Sequence, residues 1–319
     1  MSLEVIEANG LATIQDSGRR GWRRFGVPVS GAMDILAFHA ANSLADNSSN
    51  QAAIEIGLGD ITFRALHDCV VAVTGVGYDL SIYIWDFPLW SSYYMRAGWT
   101  VRLNKLDSGM CAYLAIAGGI QIPQVLDSRS TYLRGRIGGF NGRQLQAGDV
   151  LKSGTPSHPL TELAARTLPE EARPVYTNNP VVDVIMGPQE KYFTPESTAT
   201  FMSQEYTVST TSDRMGYRLE GATLKHRGKT ELISEGMTMG AIQVPSNGQP
   251  IVMMVDSPTT GGYPKIGTVI RADLPLLAQC VPNKSKIHFR KTTAAKAQKK
   301  YRELMSSLER IVEEEEQGN

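Results

Sequence analysis

Cysteine is scarce: there are three in 319 residues, and none stands in a C-x-x-C pair, so no disulfide framework or cysteine-based metal site is indicated. The five histidines are equally scattered, which removes the clustered ligands that a zinc site needs, and no metal is expected. Cys69 and Cys111 lie in apolar, strand-like runs and read as buried reduced thiols, so the expected compartment is cytoplasmic. No charge of one sign prevails. Lys plus Arg equals Asp plus Glu at 32 each, which leaves no net field to favour nucleic acid or a membrane surface. No apolar run reaches the ~18 residues of a spanning helix. The opening MSLEVIEANG has neither the basic start nor the apolar core of a signal peptide. No G-x-x-x-x-G-K-[ST] loop and no G-x-S-x-G elbow occurs, and no histidine accompanies the polar loops described below. Walker-type nucleotide binding and Ser–His or Cys–His hydrolysis are therefore set aside.

What the chain does have is short apolar, β-branched runs: VVAVTG at 70–75, AYLAIAGG at 112–119, VVDVIMG at 181–187 and PIVMMVD at 250–256. Each is bounded by Gly, Pro, Asn or Asp, as strands and their turns are. One helix follows Ser30 as N-cap, with apolar residues at 33, 36, 37, 40, 41 and 44, and a second covers Asp273 to Cys280. Strand-rich lobes with few helices suggest small β-barrels rather than a βαβ fold. The first lobe spans 1–155, with an extra segment at 107–155; 156–180 reads as a polar linker and 181–290 as the second lobe. Residues 291–319 differ again. Tyr301, Leu304, Met305, Leu308, Ile311 and Val312 follow helical spacing, which predicts an amphipathic helix whose acidic end, Glu313–Glu316, opposes the dipole and should fray.

The lobes echo each other. SGAMD at 30–34, AIEIGLGDITF at 53–63 and VTGVGYD at 73–79 return as SDRMG at 212–216, AIQVPSNGQPIVM at 241–253 and TTGGYPK at 259–265. Similar offsets across three segments indicate a duplication, and a duplicated fold offers a cleft between its halves.

Four segments combine polar side chains with glycine in ways that a core does not require. In TIQDSGRRGWRRFGVP at 13–28, Arg19 offers a rigid fork for a carboxylate or phosphate, and Asp16 could orient it or act as a base beside Gln15. An ordinary surface turn is the alternative. In SRSTYLRGRIGGFNGR at 128–143, Arg129, Arg134, Arg136 and Arg143 stand among glycines, as in an anion cradle or a solvated loop. TSDRMGYRLEG at 211–221 supplies Ser212, Asp213 and Arg214; with Glu235 nearby in sequence, Asp213 and Glu235 are candidate general bases. DSPTTGGYPK at 256–265 supplies Thr259, Thr260, Tyr263 and Lys265 around two glycines, which suits a carbonyl or phosphoryl oxygen or a plain turn.

Together, QDSGRRG, GVPVSGAMD, YLAIAGGI, SRSTYLRGRIGGFNGR, SDRMGYRLEG, GAIQVPSNGQPIV and TTGGYPKIG resemble the Kip antagonist family, also called allophanate hydrolase subunit 2. The resemblance covers about residues 3–290. It implies a mainly β fold of two tandem cyclophilin-like β-barrel lobes with few short helices, to which the C-terminal amphipathic helix is added. It also implies a Kip inhibitor-like B subunit as partner and a LamB/YcsF-like A subunit. The implied activity is ATP-dependent opening of 5-oxo-L-proline to L-glutamate by the assembled 5-oxoprolinase. On this reading Asp16, Asp213 and Glu235 carry catalysis. Gln15, Arg19, Arg129 and Arg143 would face Ser212, Arg214, Thr259, Thr260 and Tyr263 across the ligand. One departure is Asp127, where the resemblance leads one to expect glycine before SRSTY.

Two rivals share the scaffold. One is a urea or amide carboxylase's carboxyltransferase, taking a carboxyl group from carboxybiotin; this chain has no A-M-K-M segment, so biotin would arrive on another protein. The other is a non-catalytic regulator that sequesters a kinase-inhibitor partner.

Overall fold

The computed structural model describes residues 1–228 and 230–317, and side chains as far as residue 306. The chain divides into two compact units: Met1–Arg19, Ser30–Val175 and Ser306–Asn319 form one, and Arg20–Val29 with Tyr176–Met305 the other. The mainly β expectation holds in both, with few and mostly short helices.

Unit 1 begins with β1 (Ser2–Ala8), β2 (Leu11–Gln15), α1 (Ile35–Leu44), β3 (Ala53–Gly57) and β4 (Ile61–Ala65). It continues through β5 (Cys69–Gly75), β6 (Tyr78–Ile82), β7 (Trp85–Phe87), β8 (Ser91–Met95), β9 (Thr100–Lys105) and β10 (Cys111–Ile116), and ends with β11 (Val150–Lys152) and α2 (Leu160–Leu163). The strands form two sheets, ordered β11-β1-β4-β9-β6-β7 and β2-β3-β10-β5-β8. Between them lies a core that includes Leu3, Val5, Ile14, Ile54, Phe63, Val71, Val73, Leu103 and Leu114. Every residue of β5 and β10 is buried, which explains why these strands read as continuous apolar runs rather than alternating ones. The inward face meets the other sheet. On the outward face Val70 and Ala117 pack with Leu163 of α2, and Thr74 Oγ1 donates to Ala37 O of α1.

The start of α1 differs from the expectation. Asp34, not Ser30, is the N-cap, its carboxylate accepting from Leu36 N and Ala37 N at 3.1 Å. A carboxylate there meets both orphan amides and the positive end of the helix. The stretch at 156–175 is not an open linker. Leu163 and Leu168 are fully buried, and Ser92 Oγ of β8 donates to Leu163 O, so this segment folds onto unit 1.

Unit 2 runs through β12 (Val181–Met186), α3 (Pro195–Ser203), β13 (Glu205–Val208), β14 (Gly216–Glu220), β15 (Glu235–Gly236) and β16 (Ala241–Gln243). It closes with β17 (Ile251–Met253), β18 (Thr260–Gly261), β19 (Lys265–Val269), α4 (Leu274–Ala278), β20 (Lys286–Lys291) and the part of α5 (Ala294–Gln317) up to Met305. Seven of these strands close into a barrel in the order β12-β19-β16-β17-β14-β13-β20, while β15 and β18 pair separately. Closure leaves no exposed sheet edge in the barrel. The α4 and α5 expectations hold. α5 continues through Glu313–Glu316 rather than ending before them, and the side chains of Leu308, Ile311 and Val312 lie outside the described ones. Near its start, Lys300 Nζ reaches Asp273 Oδ1 at 2.7 Å and Asp183 Oδ2 at 3.2 Å, which docks the helix on the barrel.

The three echoed segments do not occupy matching places. SGAMD leads into α1, whereas SDRMG forms the β13–β14 turn, with Met215 N donating to Asp213 Oδ1. β16 and β17 pair with each other, but β3 and β4 belong to different sheets.

Candidate functional site

The first two constellations come together, and they do so by satisfying one another. Asp16, 1% exposed, accepts from Gly18 N at 2.8 Å, Ser128 Oγ at 2.7 Å, Arg129 N at 2.6 Å and Ser130 Oγ. A carboxylate holding four donors is an anchor between the 13–19 and 128–131 segments, so it is not placed as a general base. Arg19 is fully buried, with Nε donating to Val125 O and Nη2 to Ser130 O at 2.6 Å. Two nitrogens of its fork thus hold protein carbonyls. Gln15 Nε2 donates to Thr13 Oγ1 and Thr131 O, and its Oε1 is buried without a hydrogen-bond partner among the described residues.

In the arginine–glycine loop, Arg134 and Arg136 are exposed, whereas Arg129 and Arg143 are bonded within the protein. Arg129 Nε donates to Ile122 O. Arg143 is locked in a two-pronged pair with Asp149, 2.7 Å on each prong, and also donates to Gln144 O. Burial opposes the charged form of Asp149, but Arg143 and the Gln146 amide outweigh it and hold the carboxyl below its usual range. Gly138 has a reason unrelated to a ligand: at φ +65°, an added Cβ would sit 2.2 Å from Ser130 O and 2.6 Å from Arg19 Nη2. Asp127, the unexpected non-glycine, also has positive φ, at +62°, a conformation that Asp tolerates better than most residues.

The second pair of constellations, both in unit 2, has a different character. Ser212 accepts from Arg218 N, and Asp213 Oδ1 from Met215 N and Gly216 N, so both shape the β13–β14 turn. Asp213 is exposed, but its carboxylate is bound to its own turn, which argues against a catalytic base there. Arg214 Nε donates to Asp256 Oδ2 at 2.9 Å, a buried pair that ties the turn to the strand end before Thr259.

Glu235 is placed differently. β15 pairs with β18, setting Glu235 opposite Gly261 and Gly236 opposite Thr260. Glu235 Oε1 receives Gln189 Nε2 and Lys265 Nζ, each at 2.7 Å, while Lys265 N points to Gln189 Oε1 at 3.4 Å. Lys265 is buried; the Glu235 side chain is 41% exposed, and its Oε2 has no partner among the described residues. Gln243 Nε2 donates to Tyr263 O and lies where a Cβ on Gly261 would come within 2.6 Å. Thr259 O accepts from Met237 N, and the Tyr263 side chain is partly exposed at the rim. A buried ammonium, a half-open carboxylate and two side-chain amides thus converge beside a glycine pair. This arrangement can hold an oxyanion or polarised carbonyl and exchange a proton through Glu235.

Of the twelve residues singled out, the structure therefore gathers Glu235, Thr259, Thr260 and Tyr263. Lys265, a donor expected from the DSPTTGGYPK segment, joins them. Gln189 and Gln243 carried no signal, because a lone glutamine after a strand is uninformative until its partners are known.

Comparison with known proteins agrees with this architecture. The carboxyltransferase domain family, subdomains A and B, matches residues 25–291. The chain is 40% identical over 320 residues to the 5-oxoprolinase C subunit of Haemophilus influenzae, covering 98% of this chain and 99% of that protein. It is 39% identical to the corresponding 5-oxoprolinase protein of Escherichia coli, over 90% of each. The solved structure of K. lactis urea amidolyase superposes with a TM-score of 0.91 and 28% identity, covering 97% of this chain but only 20% of that one. Near-complete, two-sided coverage at such identity leaves no ambiguity about descent: the chain belongs to the carboxyltransferase domain family, subdomains A and B.

Proposed function

We propose that this chain is the C subunit of a 5-oxoprolinase, acting with a Kip inhibitor-like B subunit and a LamB/YcsF-like A subunit in the cytoplasm. The observation that carries the reading is the end-to-end similarity to the H. influenzae protein, 40% identical over 98% of this chain and 99% of that one. ATP, consumed by the assembled complex, supplies the activation that an unstrained lactam needs. Within this chain, Lys265 and the Gln243 amide bind the oxygen-rich end of the substrate, while Glu235 Oε2 relays a proton as the C–N bond opens. Glu235 Oε1, 2.7 Å from Lys265 Nζ, keeps the ammonium aimed, so it requires no reorganisation when negative charge develops.

The test is reconstitution with B- and A-type partners, ATP and 5-oxo-L-proline. Glutamate formation that requires this chain, and that falls at least a hundredfold in Lys265→Met, supports the proposal. Absence of glutamate from a fully assembled complex refutes it. The second reading is favoured by the superposition on urea amidolyase: carboxyl transfer from carboxybiotin carried on another protein. It predicts labelled carboxyl transfer to an amide nitrogen in the same mixture. Tight binding of the B-type partner with neither reaction would leave the regulator.

A further inference from the structure

Unit 2 contains a cavity of about 510 Å³ whose lining includes Arg20, Arg23 and Arg271, with no carboxylate among the described residues around it. Arg23 is partly committed, donating to Met237 O and to Pro258 O at 3.3 Å. Arg20 and Arg271 have no ion-pair partner among the described residues, and Arg271 is seated 4.9 Å over the ring of Tyr301, on α5. Burial, reinforced by the charge of Arg20, holds the Arg271 guanidinium below its ordinary range. Arg20 and Arg271 are both exposed, so their like charges stay open to an anion that enters the concavity from solvent. Much of the remaining lining is apolar, with Val255, Ile185 and Leu274 among it beside Thr238, Thr268 and Gln298. A bare inorganic ion would leave those surfaces wet; an apolar tail would cover them. The matched family region, 25–291, excludes both Arg20 and α5, so part of the lining comes from outside it.

We propose that this cavity binds a small amphipathic oxyanion, a carboxylate or phosphate head between Arg20 and Arg271 with an apolar body against the barrel, and that α5 forms its lid wall. The docking of α5 through Lys300 on Asp183 and Asp273 keeps Tyr301, and with it Arg271, in place. The site is independent of which reaction the chain serves.

The probe is 8-anilinonaphthalene-1-sulfonate, an oxyanion with an apolar body, titrated fluorimetrically into the full chain. One saturable site is expected, with affinity lowered at least tenfold in Arg20→Ala/Arg271→Ala at unchanged melting temperature. Thr238→Trp, which fills the cavity from its exposed rim without altering charge, is expected to block binding equally and decides the matter if the double variant misfolds. Competition separates the head groups: displacement by octanoate identifies a carboxylate, and displacement by inorganic phosphate alone identifies a phosphate. Wild-type binding by the variants, or failure of both competitors, overturns the proposal.

Discussion

Substituting Asp16 by Asn separates an anchoring carboxylate from a catalytic one more cleanly than any other change in the chain. The substitution keeps size and shape but removes the charge and one acceptor. Oδ1 alone accepts from Gly18 N, Ser128 Oγ and Ser130 Oγ, so an asparagine oxygen there retains those three bonds in weaker, neutral form. Its amide then faces Arg129 N, donor against donor, at a site where the carboxylate accepts at 2.6 Å. A hydrogen bond to a charged group contributes about 1.5–3 kcal/mol and an unsatisfied buried donor costs about 1–3 kcal/mol. We therefore expect about 3 kcal/mol of destabilisation. For a unit of this size that corresponds to a fall of ~6–12 °C in Tm. Calorimetry of the isolated chain measures it, and turnover in the reconstituted complex at 25 °C, normalised to folded protein, should stay within about threefold of wild type. An unchanged Tm with abolished turnover would refute the reasoning and return Asp16 to the reaction.

Further expectations concern other groups. Arg143→Ala breaks its pair with Asp149, whose side chains are 35% and 10% exposed, and should cost about 1 kcal/mol with little change in turnover; a tenfold loss of activity at unchanged Tm would contradict this. Glu235→Gln keeps the bond to Lys265 possible but removes the proton acceptor, so kcat should fall at least tenfold with KM changed less, read by steady-state kinetics of the complex. Asp183 is held below its usual carboxyl range by the Arg290 guanidinium first and Lys300 next, against burial. Its contribution is thus present above the unfolded pKa of about 3.9 and lost as pH falls through the lower folded value. Urea unfolding from pH 6 down to 2.5 should show that slope, and Asp183→Asn should flatten it.

The fold was more legible than the site, and particular residues show why. Strand identity depends on local composition: VVAVTG and VVDVIMG are β-branched runs that follow Asp68 or Pro180 and end in glycine, and they became β5 and β12. The helix cap failed by four residues because Ser30 and Asp34 are equally good caps in sequence, and only the backbone decides which one receives Leu36 N. The site depends on which partners a side chain has already acquired, and sequence does not contain that information. Arginine was given the greatest weight because its fork suits anions, yet Arg19, Arg129 and Arg143 are all committed to protein acceptors. The same five donors that suit a ligand also suit a loop carbonyl, and in a chain with many long irregular stretches the carbonyls are nearer.

This saturation also supplies a rule for where chemistry can remain. A buried polar group costs free energy until it is paired, so most are paired internally, and those still open in the folded chain are the ones that something else must satisfy. Asp16 has no capacity left, and Asp213 is occupied by its turn. Glu235 retains one oxygen, and Arg20 and Arg271 retain their charge beside an apolar cavity. In unit 2 the open groups stand at two places of different chemistry. One is a lysine–carboxylate pair suited to proton exchange; the other is an arginine pair suited only to holding a formed anion, since guanidinium does not give up its proton in the physiological range. The first is where bonds can change, and the second is where a ligand can be held without changing.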